Sequence, residues 1–374
     1  MSPSSALRPA NAPIPVDSGR RPVGWALVGC GWVARDFAVP ALRRAAGSRL
    51  VVACDRDPRA LRALPHGVPT TTDLAEALAM PGVDAVYVAT PNDAHAPVVR
   101  DAAAAGKHVL CEKPMATCLT AARAMVEACR AQGVRYATAF DQRFHAAHRT
   151  LRRLVAEGAL GTVTQARVHY ACWLPAAWSP TGPADARHDN WRIDPARAGG
   201  GALVDLAPHG LDLLETLLGD RWETLEVMTQ RHVHGYPVDD GAVLMGRMHS
   251  GLLASLHVAY NCPDAYPRRV LELIGTRARA LAVDTMGQTA GGTLELTEAA
   301  TGAARPVAVD DDRSPFELQV EAYCRALHED GSEVPAWPWT ADDDLRRFAL
   351  LEHARENEAA RPAIAPAPDG AGWH

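Results

Sequence analysis

No two cysteines in this 374-residue chain are spaced C-x-x-C. The eight present (Cys30, Cys54, Cys111, Cys118, Cys129, Cys172, Cys262 and Cys324) are scattered, which argues against a structural zinc site or a disulfide framework. No stretch approaches the roughly 20 unbroken apolar residues of a membrane-spanning helix. A basic excess is lacking too. The 38 lysines and arginines face 44 aspartates and glutamates, a net charge of −6, so nothing is available to neutralise a nucleic-acid backbone. There is no internal repeat. The remainder is the composition of a globular protein, 48% hydrophobic and 22% charged, with length for two domains. Arg20-Arg21 ahead of an apolar run has the look of an export signal, but the run feeds directly into Gly29-Cys30-Gly31 and reads as part of the fold. A cytoplasmic location is expected.

The pattern predicts four segments: a flexible tail over 1–20, an α/β domain over 21–141, an α+β domain over 142–360 and a frayed end over 361–374. Within the first domain, short apolar runs (Val23–Val28, Leu50–Cys54, Val83–Ala89, His108–Cys111, Val134–Ala139) alternate with helical stretches (Trp32–Ala46, Asp73–Met80, Ala96–Ala105, Leu119–Gln132). Strands of that kind suit a parallel sheet covered on both faces, a Rossmann arrangement. Beyond Arg143 come a helix (His148–Glu157) and strands at Thr162–Tyr170, Thr224–Arg231, Ala242–His249, Leu252–Ala259 and Arg269–Ile274. Glycine turns between them point to a large open, mainly antiparallel sheet. Helices return at Phe316–Leu327 and Asp343–Ala359.

Gly29-Cys30-Gly31-Trp32-Val33-Ala34 fits G-x-G-x-x-G/A and sits between the first strand and first helix, the context that motif requires. Gly29 permits the turn, Gly31 admits a pyrophosphate to the backbone, and Ala34 lets the helix pack closely. Asp55 ends the second strand, where a carboxylate accepts from adenosine ribose hydroxyls; Arg56 beside it can cover the adenine or reach a phosphate. NAD is therefore expected, with NADP use allowed by Arg56. Three strand-end segments face the same edge: Ala89 to His95, Cys111 to Pro114, and Phe140 to Phe144.

The pieces GCGWVA, YVATPNDAH, AGKHVLCEKPMA and WRIDPARAGGGALVDLAPHGLD, in that order over residues 24–212, resemble the glucose–fructose oxidoreductase / inositol dehydrogenase / MocA family. The resemblance implies hydride transfer between a nicotinamide and a carbinol or ketone carbon of a sugar, nucleotide sugar or cyclitol. It makes Lys113 the lysine that holds the substrate oxygen, with Pro114 in a cis bond aiming it. Asp205 and His209 share a helical face at i, i+4. Asp205 is expected to orient His209 or support its imidazolium, while His209 exchanges the substrate proton and oxidation quickens as the imidazole loses its charge. Pro208 then requires the helix to begin near Asp205. Gly199, Gly200 and Gly201 would let backbone pass close to cofactor or substrate.

The expected cofactor residues are Gly29, Cys30, Gly31, Trp32, Val33, Asp55, Arg56, Thr90, Pro91, Asn92, His95, Glu112 and Lys113. Substrate contacts are expected from Lys113, Arg143, Tyr170, Trp173, Trp191, Arg192, Asp205 and His209, with Trp178 equally readable as sheet cover and Asp212 as a charge-pairing residue. No metal is expected. The expected partners are a small polyol or sugar and further copies of the chain, as a homodimer or homotetramer through the C-terminal sheet, with no nucleic acid and no membrane. Two other functions fit the same residues. One is a redox-neutral NAD-dependent glycoside hydrolase or epimerase working through a transient ketone. The other is a non-catalytic dinucleotide-binding sensor, against which the presence of Lys113, Asp205 and His209 counts.

Overall fold

Six parallel strands build the first sheet of the protein, whose structure is a computed structural model describing residues 21–179, 190–309, 311–328 and 336–360. They are β1 (Val23–Val28), β2 (Ser48–Cys54), β3 (Thr70–Thr71), β4 (Ala85–Val88), β5 (His108–Glu112) and β6 (Tyr136–Ala139), ordered β3-β2-β1-β4-β5-β6. Strands β1 and β4 are buried at every position, as their unbroken apolar runs require. The order reverses between β1 and β4, so their carboxyl ends diverge around a crevice. Helices α1 (Val39–Arg44), α2 (Pro58–Arg62), α3 (Leu74–Ala79), α4 (His95–Ala104) and α5 (Leu119–Ala131) connect the strands. The Asp73 carboxylate starts α3 by accepting from the Ala75 and Glu76 N–H groups. The helix predicted over Trp32–Ala46 is present from 32 to 44, but its stretch Ala34–Ala38 is π-helical and runs into α1. Pro40 has no N–H for the carbonyl four residues back, so a regular α ladder cannot pass through it.

The second sheet has eight strands: β7 (Val163–Ala171), β8 (Trp222–Gln230), β9 (Gly241–Met248), β10 (Leu253–Ala259), β11 (Arg269–Gly275), β12 (Ala278–Val283), β13 (Thr293–Glu298) and β14 (Ala304–Pro306). Their order is β14-β13-β12-β11-β7-β10-β9-β8, antiparallel except for the β7–β10 pair at the centre. Strands β3 and β12 to β14 have no counterpart among the runs predicted from the sequence. Ala278, Ala280 and Ala282 face inward from β12 and give no bulky apolar signal. Helix α6 (Ala146–Ala156) precedes β7, helices α7 (Pro195–Ala198) and α8 (Ala202–Leu218) lie between β7 and β8, and α8 packs on β7 and β10 with nearly its whole length buried.

The partition expected at residue 141 differs from the structure in one respect. The last helices, α9 (Pro315–His328) and α10 (Ala341–Ala359), return to the first sheet. The Tyr323 hydroxyl, fully buried on α9, donates within reach of the Val109 and Arg135 carbonyls at 2.9 and 3.0 Å, and Phe316 and Val320 join the core of Trp25 and Leu42. The expected tails, 1–20 and 361–374, lie outside the described residues. Among the described residues no helix is long and apolar enough to cross a membrane, and all eight cysteines are unpaired.

Candidate active site

Both sheets contribute to one cleft of about 1100 Å³ at the carboxyl ends of β1, β2, β4, β5 and β6. Its floor begins at the first turn. Gly29 has φ +88°, and a Cβ there would stand 2.6 Å from the backbone of Ala89 and Thr90. Gly31 is glycine for another reason: a Cβ on it would meet no protein atom within 4 Å and would jut into the cleft. That is the space a pyrophosphate needs to reach backbone N–H groups. Asp55 is held rigidly at the end of β2, with Oδ2 accepting from Cys30 N–H at 2.7 Å and Oδ1 from Asp57 N–H at 2.8 Å. Arg56 lines the cleft beside it and has no carboxylate partner among the described residues. The residues present therefore fit a dinucleotide.

At the other end of the cleft, Lys113 follows β5 and precedes Pro114 across a cis peptide bond, as the resemblance implies. Its Nζ donates to Asp205 Oδ1 at 2.5 Å and to the Asp205 carbonyl at 2.9 Å. An ammonium has three protons, so one is left for a ligand oxygen. Tyr260, just beyond β10 and fully buried, donates to Asp205 Oδ2 at 2.7 Å. Burial alone would raise Asp205, but Lys113, Arg192 and the two donated hydrogen bonds outweigh it and hold the carboxyl well below the usual carboxylate range.

His209 lies one turn beyond Asp205, yet no hydrogen bond joins the two, because Lys113 and Tyr260 engage the carboxylate. The carboxylate oxygen within 4 Å of His209 Nδ1 is Asp141 Oδ1, at 3.7 Å. Burial, and then the charge of Lys113, hold the imidazole well below its ordinary range, so His209 is neutral near pH 7. The expected rate rise on losing an imidazolium charge is thereby displaced, since no such charge is present to lose.

The helix carrying these groups also starts earlier than expected. It begins at Ala202, which places Pro208 in its second turn, where the missing N–H removes a hydrogen bond to Val204. Its first turn is fixed from outside: the Asp239 carboxylate accepts from Gly201 N–H at 2.9 Å and Leu203 N–H at 2.7 Å. The three glycines before it serve close approach between protein segments. A Cβ on Gly199 would lie 2.9 Å from the Thr117 backbone, and one on Gly201 would overlap the Asp239 carbonyl.

All the expected cofactor and substrate residues line this cleft except two. His95 is fully buried beneath it, its ring nitrogens against the Pro114 carbonyl at 2.9 Å and the Thr90 carbonyl at 3.0 Å; it ties the lysine turn to α4 and offers nothing to a cofactor. Arg143 is buried as well and does not line the cleft: its Nε and Nη2 are bonded to Asp212 and Asp344, and its Nη1 is buried without a partner. Asp212 is accordingly a buried partner and not a substrate ligand. Asn92 lines the cleft while donating to the Ala198 carbonyl at 2.9 Å. Trp32 packs edge-on against Trp178 at 5.7 Å, Arg192 lies 4.6 Å from the Trp191 ring, and Trp173 leans on His234. Asp141, Tyr260 and Arg269 were not found from the sequence. Asp141 stands in the strand-end segment Phe140 to Phe144, where it lines the cleft and Arg143 does not. Tyr260 follows a strand with no motif around it.

Comparison with known proteins bears on the fold and cofactor. Residues 23–140 match the family described as "Oxidoreductase family, NAD-binding Rossmann fold", and residues 148–281 match "GFO/IDH/MocA C-terminal domain". The chain is 32% identical to 1,5-anhydro-D-fructose reductase of Ensifer adhaerens, over 82% of this chain and 89% of that protein. It is 28% identical to D-apiose dehydrogenase of Paraburkholderia graminis, over 92% and 93%. A levoglucosan dehydrogenase in complex with NADH and levoglucosan superposes with a TM-score of 0.74 at 23% identity, covering 91% of this chain and 98% of that one.

Proposed function

Because the chain belongs to the Gfo/Idh/MocA family of NAD(P)-dependent sugar and polyol oxidoreductases, we propose that it interconverts a carbinol and a ketone on a sugar, nucleotide sugar or cyclitol, with Lys113, Asp205 and His209 handling the substrate oxygen and its proton. One observation carries this reading. The Lys113 ammonium keeps one N–H unused in a cleft that His209 also lines. NAD, when bound, supplies the hydride acceptor or donor.

The substrate oxygen accepts from Lys113, whose charge stabilises the alkoxide character that develops as the carbinol carbon loses hydride. Asp205 holds the lysine in place from two sides, and Tyr260 holds Asp205. His209 takes the hydroxyl proton on Nε2, the ring nitrogen left to the cleft when Nδ1 is buried. Trp173, Trp191 and Tyr170 offer apolar faces to a sugar's C–H edge, and Arg192 a donor to its hydroxyls. Asp55 favours NAD over NADP, since a 2′-phosphate would set like charges together.

Among the described residues, the second sheet turns an uncovered face outward. Met228, Met245 and Leu253 are 66%, 59% and 63% exposed there, beside Val243. Met228 and Val243 are direct cross-strand neighbours, so the patch is continuous and suits a second copy of this chain. The activity is tested by screening sugars and cyclitols, 1,5-anhydro-D-fructose, D-apiose and levoglucosan among them, for nicotinamide absorbance change in both directions. Product formed without net absorbance change would favour redox-neutral chemistry. No turnover of any polyol would overturn the reading.

A further inference from the structure

Asp141 opens a short 3-10 turn, Asp141–Phe144, just past β6, with its side chain almost wholly buried. Its Oδ2 accepts from Gln142 Nε2 at 2.9 Å, and its Oδ1 faces His209 Nδ1 at 3.7 Å. That Nδ1 is buried and has no hydrogen-bond partner. A buried polar nitrogen is seldom left so, and pairs of this kind are often long in an unliganded site and close on substrate binding.

Charged and titratable groups surround the pair on every side. Glu112, at the end of β5, is half-buried and accepts from the Tyr87 hydroxyl of β4 at 2.7 Å. Lys113, Asp205 and Arg269 of β11 act electrostatically on His209, and the Tyr170 ring of β7 lies 5.4 Å from the His209 ring. Burial, and then the charge of Glu112, push Asp141 up to about 8, against an opposing pull from Lys113. Burial, Lys113 and Arg269 all disfavour an imidazolium, and Asp205 offsets them only in part. The pair therefore gains and loses a proton without His209 becoming charged.

We propose that Asp141, and not Asp205, is the positioning partner of His209: the proton shared between Asp141 Oδ1 and His209 Nδ1 decides which imidazole nitrogen offers a lone pair to the substrate. The inference rests on the oxidoreductase reading above and adds the residue through which His209 works. In alcohol oxidation Asp141 begins ionised and Nδ1 carries the ring proton. The hydroxyl proton passes to Nε2 as the Nδ1 proton passes to Oδ1. The O–H bonding pair becomes the carbonyl π bond, and the C–H pair leaves with the hydride. The dyad ends with a neutral carboxylic acid and a neutral imidazole, so a histidine that resists charge still accepts a proton. Reduction runs the same transfers backwards.

The test uses full-length protein labelled with 15N-histidine and saturated with NAD, its His209 signals identified by their loss in His209→Asn. In the wild type, His209 should pass from the Nε2–H to the Nδ1–H tautomer as pH rises through about 8. Asp141→Asn should hold one tautomer across that range. With a substrate in hand, the same variant should lose about tenfold or more in kcat for oxidation, with the rising limb near that pH gone and KM within about twofold. A His209 tautomer that ignores pH in the wild type overturns the proposal, whether or not the variant folds. So does an unchanged titration in Asp141→Asn. The spectra need no substrate. A protein that shows the titration yet oxidises no polyol overturns the functional reading and leaves the dyad standing.

Discussion

Lys113 and Asp205, 92 residues apart, are joined twice: Nζ reaches the carboxylate at 2.5 Å and the main-chain carbonyl at 2.9 Å. The lysine follows a strand of the first sheet, and the aspartate stands in the first turn of a helix laid on the second. This contact ties the two sheets together within the lining of the cleft.

Lys113→Ala removes the charge facing the substrate oxygen and leaves Asp205 without its ammonium. Turnover should fall by about 100-fold or more, a loss typical of deleting a donor to a developing oxyanion. NAD affinity, read by fluorescence titration, should barely change, because the Gly29 to Val33 turn and Asp55 lie at the other end of the cleft. Near-normal turnover on the true substrate would remove Lys113 from its role.

Asp141 also makes stability pH-dependent in a definite direction. Its folded value, about 8, is raised above the ordinary carboxyl value, so its stabilising contribution is complete below the unfolded value and lost as pH rises through the folded one. Between about pH 5 and pH 9 the wild type should lose stability relative to Asp141→Asn. Denaturant midpoints of the two proteins measured across that range decide it; parallel curves would show that the carboxyl is not raised.

Asp55→Ser should move cofactor preference towards NADP by relieving repulsion at the 2′ position while keeping Arg56. The reading is kcat/KM for each cofactor. A wild type that already favours NADP would mean that Arg56 governs the pocket.

Arg143 belongs to a buried cluster with Asp212, Asp344 and Arg347. Removing one partner strands a buried charge, so Arg143→Ala should cost about 3–5 kcal/mol of stability in thermal or denaturant unfolding. At a temperature where the variant is folded, KM for the polyol should be unchanged. A KM rise without loss of stability would return Arg143 to the substrate.

Met245→Glu combined with Leu253→Glu places two charges on the open sheet face. If a second copy covers that face, sedimentation should show smaller particles than for the wild type, with the fold intact by circular dichroism. Identical sedimentation would place the subunit contact elsewhere, or nowhere.

Much was settled along the chain itself. The glycine turn and the carboxylate ending β2 are local features: each is fixed by what backbone and neighbours permit within a few residues, so spacing suffices to find them, whereas the lysine beside proline is legible only through the resemblance of its segment to a family. The periodic apolar runs likewise gave the parallel sheet, because a strand buried on both faces leaves no other pattern. What the chain could not show is which side chains meet across it. Asp205 and His209 share a helical face, but a carboxylate turns to its strongest donors, and those, Lys113 and Tyr260, come from other elements. Arg143 and Asp141 sit two residues apart on one turn. Only the carboxylates that α8 and α10 bring to that turn, Asp212 and Asp344, draw the arginine into a buried ion cluster, while His209 of α8 faces the Asp141 carboxyl. Electrostatic partnership depends on distance and burial, which sequence spacing does not encode beyond a helical turn or a strand pair.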